Sequence, residues 1–399
     1  MKIAVIFDSN ATGGGGYFQS LKTSILLNNL KSSSLNFIFI RTDKNDGTNN
    51  DFIKNNIKPI LFKKKRLARL YYRLSESKFL NYFFKKSKNP FNQFLKKKKI
   101  DLIIFLGPSD FINYCEDINF ITNIYDINFK FENSFPEYKN RDYSMFEKSV
   151  NSAYNILVDT KRTKEELIKY FNCYEKKINV YPFDPYLPTV YDKIKDKFNP
   201  EENLKTIGLN ENEKFIFYPA QFWAHKNHKY IIDAIEILKT QKKIKFKTIF
   251  CGSNKKNFMY IKNEIKIRKL ENDIIIFPFL SNEQIISLYK RALALVMPTY
   301  VARSTLTLYE AFFFKTPILY SGGILDKELE QYVTTFNLNN PNDLAQKLEN
   351  LINTNNTLNE KINNAYLYFQ QNLNNETREK ILLDILKNYE YIQKRWKDS

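Results

Sequence analysis

Two histidines flank a lysine in the stretch Tyr218–Leu238, YPAQFWAHKNHKYIIDAIEIL: His225, Lys226 and His228, the only histidines in the chain being these two. A metal centre needs more donors than two imidazoles three residues apart, and no carboxylate sits at helical spacing to complete a set. Histidine-driven covalent chemistry needs a nucleophile motif beside it, and none is there. A lysine in a strand-to-helix loop, by contrast, can neutralise the charge that builds on a departing diphosphate. Lys226 is therefore the candidate. The plain alternative makes His228 a helix-capping residue and Lys226 a solvated one.

Two other stretches carry residues of the right kind. SNATGGGGYFQS (Ser9–Ser20) follows an apolar run and leads into a helical pattern. A glycine-rich turn that opens a helix lets backbone amides approach a phosphate or a sugar closely, and the helix dipole adds positive potential. It has neither the spaced GxGxxG of dinucleotide enzymes nor the Lys-Ser/Thr of a Walker loop, so a merely flexible turn would explain it nearly as well. VMPTYVARSTLTLYEAFFFKTPILYS (Val296–Ser321) has a polar loop between a strand and a helix that carries Glu310. Amides at that helix start could hold phosphate, and Glu310 could accept hydrogen bonds from ribose hydroxyls. Glu310 could also only complement the helix dipole. It lies between Leu308 and Phe312, however, and a carboxylate inside an apolar helix usually has a partner.

The elements that must position these residues alternate. Strands are predicted at Lys2–Phe7, Asn36–Ile40, Asp101–Leu106, Ile121–Ile127, Tyr154–Asp159 and Ile178–Pro182, and again at Lys214–Ala220, Phe246–Ser253, Asp273–Leu280, Ala292–Thr299 and Pro317–Ser321. Helical periodicity falls between them, as at Asn227–Lys239 and at Thr163–Phe171, where Thr163 and Glu166 fit a capping box. Phe183–Asn212 turns polar, contains Pro185, Pro188 and Pro200, and reads as a linker. The chain ends in a long amphipathic helix over Glu376–Trp396. The fold class is thus α/β, with two doubly wound parallel sheets, and ligands belong beyond the carboxyl ends of strands.

Composition sets the outer bounds. A chain of 399 residues with 43% apolar content suits two large domains. Cys115, Cys173 and Cys251 form no CxxC pair, which argues against a disulfide framework or zinc ribbon and for a reducing cytosol. The start, MKIAVIFDSN, has no signal-peptide pattern, and no apolar stretch approaches the ~20 residues that span a bilayer. The net charge of +19 is concentrated: Lys58–Lys99 holds fifteen Lys or Arg and one acid, Glu76. Aromatic residues interleave there, among them Phe62, Tyr71, Phe79, Tyr82, Phe83 and Phe91. Such a stretch suits anionic lipid headgroups. A solvated basic face in a Lys- and Asn-rich chain is the bland alternative. Nucleic acid is a rival partner, but the stretch matches no nucleic-acid motif.

Taken in order, the Gly-rich loop, NIYDINFKFENSFPEY, ILVDTKRTKEELIKYF, PAQFWAHKNHKYIIDAI and MPTYVARSTLTLYEAFFFKTPILYS resemble the GT-B glycosyltransferases over nearly the whole chain, in particular the retaining family 4. The resemblance implies two Rossmann-like domains facing a cleft, here 1–187 and 188–375, with the helix 376–399 packing back on the first. It implies a nucleotide-sugar donor held mainly by the second domain, an acceptor on the first, and no metal or other cofactor. Lys226 matches the family's phosphate-binding lysine, Glu310 its ribose-binding glutamate, and Gly15 and Gly16 its loop near the diphosphate. The His-Asp pair of the family is Tyr125-Asp126 here, which puts Asp126 among the catalytic residues.

Three positions depart from the pattern. A donor-sugar glutamate is replaced by Ala302, an arginine by Gln221, and the histidine by Tyr125. Gln221, Arg303, Ser304 and Thr305 complete the expected donor-binding set, the last three compensating for lost contacts. The implied reaction moves a sugar with retention onto a glycan or lipid-linked glycan in bacterial surface polysaccharide synthesis. The implied location is the cytoplasm, peripheral on the inner membrane face through 58–99. The alternative is a degenerate, non-catalytic partner subunit.

Overall fold

The computed structural model describes residues 1–8, 14–30, 32–42, 46–132, 134–138, 143–301, 305–353 and 358–397. The chain divides into two compact units. Unit 1 comprises Met1–Ile127, Asn140–Asp184 and Asn374–Ser399; unit 2 comprises Asn128–Lys139 and Pro185–Leu373.

Unit 1 is built on seven strands: β1 (Lys2–Phe7), β2 (Asn36–Arg41), β3 (Ile60–Leu61), β4 (Leu102–Phe105), β5 (Asn119–Ile124), β6 (Asn155–Val158) and β7 (Ile178–Val180). They pair in parallel in the order β3-β2-β1-β4-β5-β6-β7. The central strands β4 and β6 are buried along their whole length, as a parallel sheet covered on both faces requires. The direction of crossover reverses between β1 and β4, which makes their carboxyl ends the switch point of this sheet. The C-terminal helix Asn375–Lys397 belongs to this unit. It buries Leu382, Ile385, Leu386 and Tyr389, one stripe at helical spacing, in the core with Ile3, Val5 and Leu27. At its first turns the fully buried Arg378 bonds Asp184 at 2.6 Å and the Tyr181 hydroxyl at 3.0 Å.

Unit 2 has six parallel strands: β8 (Phe215–Tyr218), β9 (Lys247–Cys251), β10 (Ile274–Phe277), β11 (Ala294–Met297), β12 (Ile318–Ser321) and β13 (Thr334–Phe336). Their order is β10-β9-β8-β11-β12-β13, so the switch point lies between β8 and β11.

Several local expectations need correction. The stretch read as a linker carries the helices Tyr186–Ile194 and Pro200–Lys205, with Leu187 and Leu204 buried. Its prolines do not break structure. Pro200 is the first helical residue, where a missing N–H costs nothing, and Asn199 caps that helix through the amides of Glu201 and Glu202. There is no Thr163–Glu166 capping box. The helix starts at Lys161, Thr160 is the cap and accepts from the Thr163 amide at 3.1 Å, and Glu166 pairs with Arg162. The strand expected over Ile121–Ile127 ends at Ile124, which leaves Tyr125 and Asp126 in the loop after β5. The short edge strands β3 and β13 carry too few residues for an alternation to be read.

Candidate functional site

Most of the described residues singled out by type follow strands that flank the two switch points, and Asp126 follows β5, one strand further along. In unit 2, Gln221 and Lys226 follow β8, and Thr305 and Glu310 follow its neighbour β11. Ala302, Arg303 and Ser304 lie outside the described residues.

Main-chain bonds tie these loops to one another. After β8 the Phe222 amide donates to the Ser253 carbonyl beyond β9 at 3.3 Å, and Phe222 accepts from the Asn257 amide at 3.1 Å. Gly252 makes this approach feasible, since a Cβ there would sit 2.2 Å from the Ala220 carbonyl oxygen. Gln221 is exposed, and its side-chain oxygen accepts from the Trp223 indole at 2.9 Å. A 3-10 turn, Ala224–Lys226, follows, and Asn227 then takes the left-handed conformation at φ 55 before the helix His228–Thr240 begins. Asparagine tolerates that conformation better than most residues. The His225 carbonyl accepts from the Tyr300 amide at 3.0 Å and from the Thr299 hydroxyl at 3.3 Å, which joins the loop after β8 to the loop after β11. The half-buried Lys226 has its own carbonyl held by the Tyr218 hydroxyl at 2.8 Å.

The two histidines have unlike environments. His225 is buried and meets Glu137 twice, through its backbone N–H at 3.2 Å and through Nδ1. Burial alone would raise the Glu137 pKa, but the hydrogen bonds from His225 outweigh it and hold the carboxyl below its ordinary range. His228 is wholly buried as the first residue of its helix, not its cap. It stacks on Phe222 at 4.4 Å and meets Phe250 edge-on at 5.0 Å. Burial pushes its pKa down to about 3, with the charge of Lys226 adding to the effect, so the ring is neutral and acts as a packing group. Among the described residues no cluster of three or more His, Cys, Asp or Glu converges.

Glu310 lies in the second turn of the helix Thr305–Phe314, which opens on the buried Thr305. Glu310 stays partly exposed, and its Oε2 accepts from the Tyr289 hydroxyl at 2.9 Å. Burial raises its pKa to about 7, against the opposing pull of the Tyr289 hydrogen bond. It therefore has a partner beyond the helix dipole. Sequence reasoning missed both Tyr289 and Glu137. Glu137 stood inside a quoted motif, SFPEY, but nothing in its spacing pointed to His225.

In unit 1, Gly15 and Gly16 open the helix Gly15–Asn29 after β1, preceded by Gly14 at φ 93. Tyr125 packs near them: a Cβ at Gly16 would lie 3.6 Å from its ring, and one at Gly107 would lie 2.9 Å from its hydroxyl. That hydroxyl donates to the Leu106 carbonyl at 3.0 Å, and burial raises its pKa to about 12. Asp126 is the next residue in the same loop. A cluster that sequence reasoning did not find surrounds Asp8 at the end of β1. The carboxylate accepts from Lys65 and Ser109, each at 2.8 Å, and from the Thr42 hydroxyl.

Comparison with known proteins places this architecture. The solved structures that it resembles include Anabaena Alr3699/HepE in complex with UDP and glucose, at 13% identity and a TM-score of 0.71 over 97% of this chain and 100% of that one. Another is the lipopolysaccharide outer core galactosyltransferase WaaB, at 16% identity and a TM-score of 0.63 over 97% and 99% of the two chains. A third is the UDP-GlcNAc 2-epimerase from Neisseria meningitidis bound to UDP-GlcNAc, at 14% identity and a TM-score of 0.62 over 97% and 100%. Likeness at these identities is likeness of fold, and the fold is GT-B. Residues 199–368, which lie within unit 2 and carry Lys226 and Glu310, match the family described as glycosyl transferases group 1. No curated protein is similar enough in sequence to count as a relative.

Proposed function

We propose that the protein transfers a sugar from a nucleotide-sugar donor, with retention, to a glycan or lipid-linked glycan acceptor in bacterial surface polysaccharide synthesis. The observation that carries this reading is the pairing of Lys226 and Glu310 on linked loops at the switch point of a group 1 glycosyltransferase domain. Lys226 and nearby loop amides would hold the donor diphosphate, and Glu310 would accept from ribose hydroxyls. Thr305, Gln221, Arg303 and Ser304 would contact the donor, and Gly15 and Gly16 would leave room near the diphosphate. As the acceptor oxygen bonds the anomeric carbon, the bond from that carbon to the diphosphate oxygen breaks. The nucleoside diphosphate departs with the acceptor's proton on a phosphate oxygen, and Asp126 would orient the acceptor hydroxyl. No metal or cofactor takes part in this scheme.

The basic stretch supports contact with an anionic membrane. Phe79, Tyr82 and Phe83 are 88%, 78% and 71% exposed among the lysines that follow the helix Lys65–Ser75, and Leu67 and Leu70 are exposed on that helix. Apolar rings beside cations suit a headgroup boundary. Phe62 and Phe91 do not take part, because both are core residues. Among the described residues no helix is long and apolar enough to cross a membrane. We place the protein in the cytoplasm, on the inner face of the membrane.

One observation favours a second reading. Tyr125 stands where the resemblance has a histidine, and its buried hydroxyl is spent on the Leu106 carbonyl, so it does not offer a ligand the contacts of an imidazole. A non-catalytic subunit would tolerate that. Nucleotide release from a panel of UDP-, GDP-, ADP- and CMP-sugars (a diphosphate from the first three, CMP from the last), with NMR of the product's anomeric configuration, decides between them. Turnover with retention supports the transferase. Binding without turnover supports the subunit, and an inverted product contradicts the mechanism.

A further inference from the structure

The segment Asn128–Lys139 lies in sequence between two parts of unit 1, yet it packs as part of unit 2. Its contacts fall on both loops of the candidate donor site. Glu137 bonds the His225 amide at 3.2 Å and the His225 ring at Nδ1, and the two side chains are only 9% and 8% exposed. Phe135 stacks on Tyr300 with ring centres 5.7 Å apart and planes at 29°, and it meets the edge of the His225 ring at 6.2 Å. His225 in turn bonds Thr299 and Tyr300 through its carbonyl, and the next residue is Lys226. A buried carboxylate that accepts two hydrogen bonds from one residue fixes both its backbone and its ring.

We infer that Glu137 is a positioning residue of the donor site. It locks the His225 ring with the Nδ1 proton toward the carboxylate and fixes the 3-10 turn that aims Lys226 against the loop Thr299–Tyr300. The inference rests on the reading of Lys226 as the diphosphate-binding lysine. In this reading Glu137 acts through His225 and not by contact with the donor. Its effect would be on how often Lys226 is in place, so its loss should weaken nucleotide binding without unfolding unit 2.

The test is calorimetric titration of UDP, GDP and ADP into wild type, Lys226→Ala, Glu137→Ala, Glu137→Gln and Glu137→Asp, with amide hydrogen exchange on each. We expect Glu137→Ala to weaken the preferred diphosphate about tenfold or more, the scale of one lost hydrogen bond to a charged group. Exchange should quicken at 224–230 and 299–301 and stay unchanged in β8 and β9. Glu137→Gln, which can still accept both bonds, should recover most of the affinity. Glu137→Asp, too short to reach Nδ1, should not, and it serves as the test if Glu137→Ala fails to fold. Wild-type affinity in Glu137→Ala or Glu137→Asp, with binding lost in Lys226→Ala, would overturn the inference and leave the donor-site reading intact. Exchange quickened throughout unit 2 without rescue by Gln would also overturn it, by making Glu137 merely structural. Wild-type affinity in Lys226→Ala, or no diphosphate bound by wild type, would remove the reading beneath it.

Discussion

At the carboxyl edge of the unit 1 sheet, one carboxylate gathers the polar groups: Asp8 takes Lys65, Thr42 and Ser109, and so pins the ends of β1, β2 and β4 to one another. At the same edge of the unit 2 sheet the loops are joined mainly through backbone, by Phe222 to Ser253 and by His225 to Tyr300, and two carboxylates lie in opposite electrostatic settings. Glu137 is held below its ordinary pKa by His225, whereas burial lifts Glu310 to about 7. The first arrangement spends its polar side chains on holding itself together. The second joins its loops largely through amides and carbonyls, and Gln221 and Glu310 take one side-chain bond each, from Trp223 and Tyr289. Similar sheets can thus tie their carboxyl edges together in different ways, one through a shared carboxylate and one through backbone.

The largest expected effect separates the two edges by stability. Asp8→Ala leaves Lys65 without its carboxylate in a partly buried cluster and should cost about 3 kcal/mol of unfolding free energy, read by urea titration, with nucleotide affinity unchanged. A cost under about 0.5 kcal/mol would mean that the cluster does not hold unit 1 together. Gly252→Ala should cost about 2 kcal/mol, because a methyl group cannot sit 2.2 Å from the Ala220 oxygen and β8 and β9 must part at that end. Here nucleotide affinity should fall with stability, since the Gln221–Lys226 loop moves too.

The smallest effect is a pH dependence. Glu310 has a folded-state pKa raised from 4.5 to about 7, so the native state binds the extra proton. Its contribution to stability is full below 4.5 and is lost as pH rises through 7, by about 1 kcal/mol once its partial exposure is allowed for. Glu137 has the opposite sign: its lowered pKa stabilises above its ordinary range, and that contribution is lost on acidification. Urea midpoints across this interval should therefore fall less with rising pH in Glu310→Gln than in wild type. An identical slope in both would show that Glu310 is not desolvated.

Much of this was legible in sequence. The alternation of apolar runs gives both sheets, because a buried parallel strand needs a near-continuous apolar run and its crossover helix needs a 3.6-residue period. That Lys226, Glu310, Gly15 and Gly16 come after strands was legible from the apolar runs that precede them; their roles are proposals. What stayed hidden depended on distant pairing. Glu137 and His225 are separated by 88 residues, and Tyr289 and Glu310 by 21, with no periodicity that links them. Asp8 reaches Ser109 across 101 residues. Prolines misled at Phe183–Asn212, since the same residue that ends a helix also opens one.

The central claim is that the loop after β8 grips a nucleoside diphosphate through Lys226. Thermal unfolding of wild type and Lys226→Ala with UDP, GDP, ADP and CMP, each alone, tests it most directly. At about 100 times its dissociation constant, the preferred nucleotide should stabilise wild type by roughly 2.7 kcal/mol, a shift of several degrees. The account predicts that this shift appears with one diphosphate and disappears in Lys226→Ala. An equal shift in both proteins, or none in either, would contradict it.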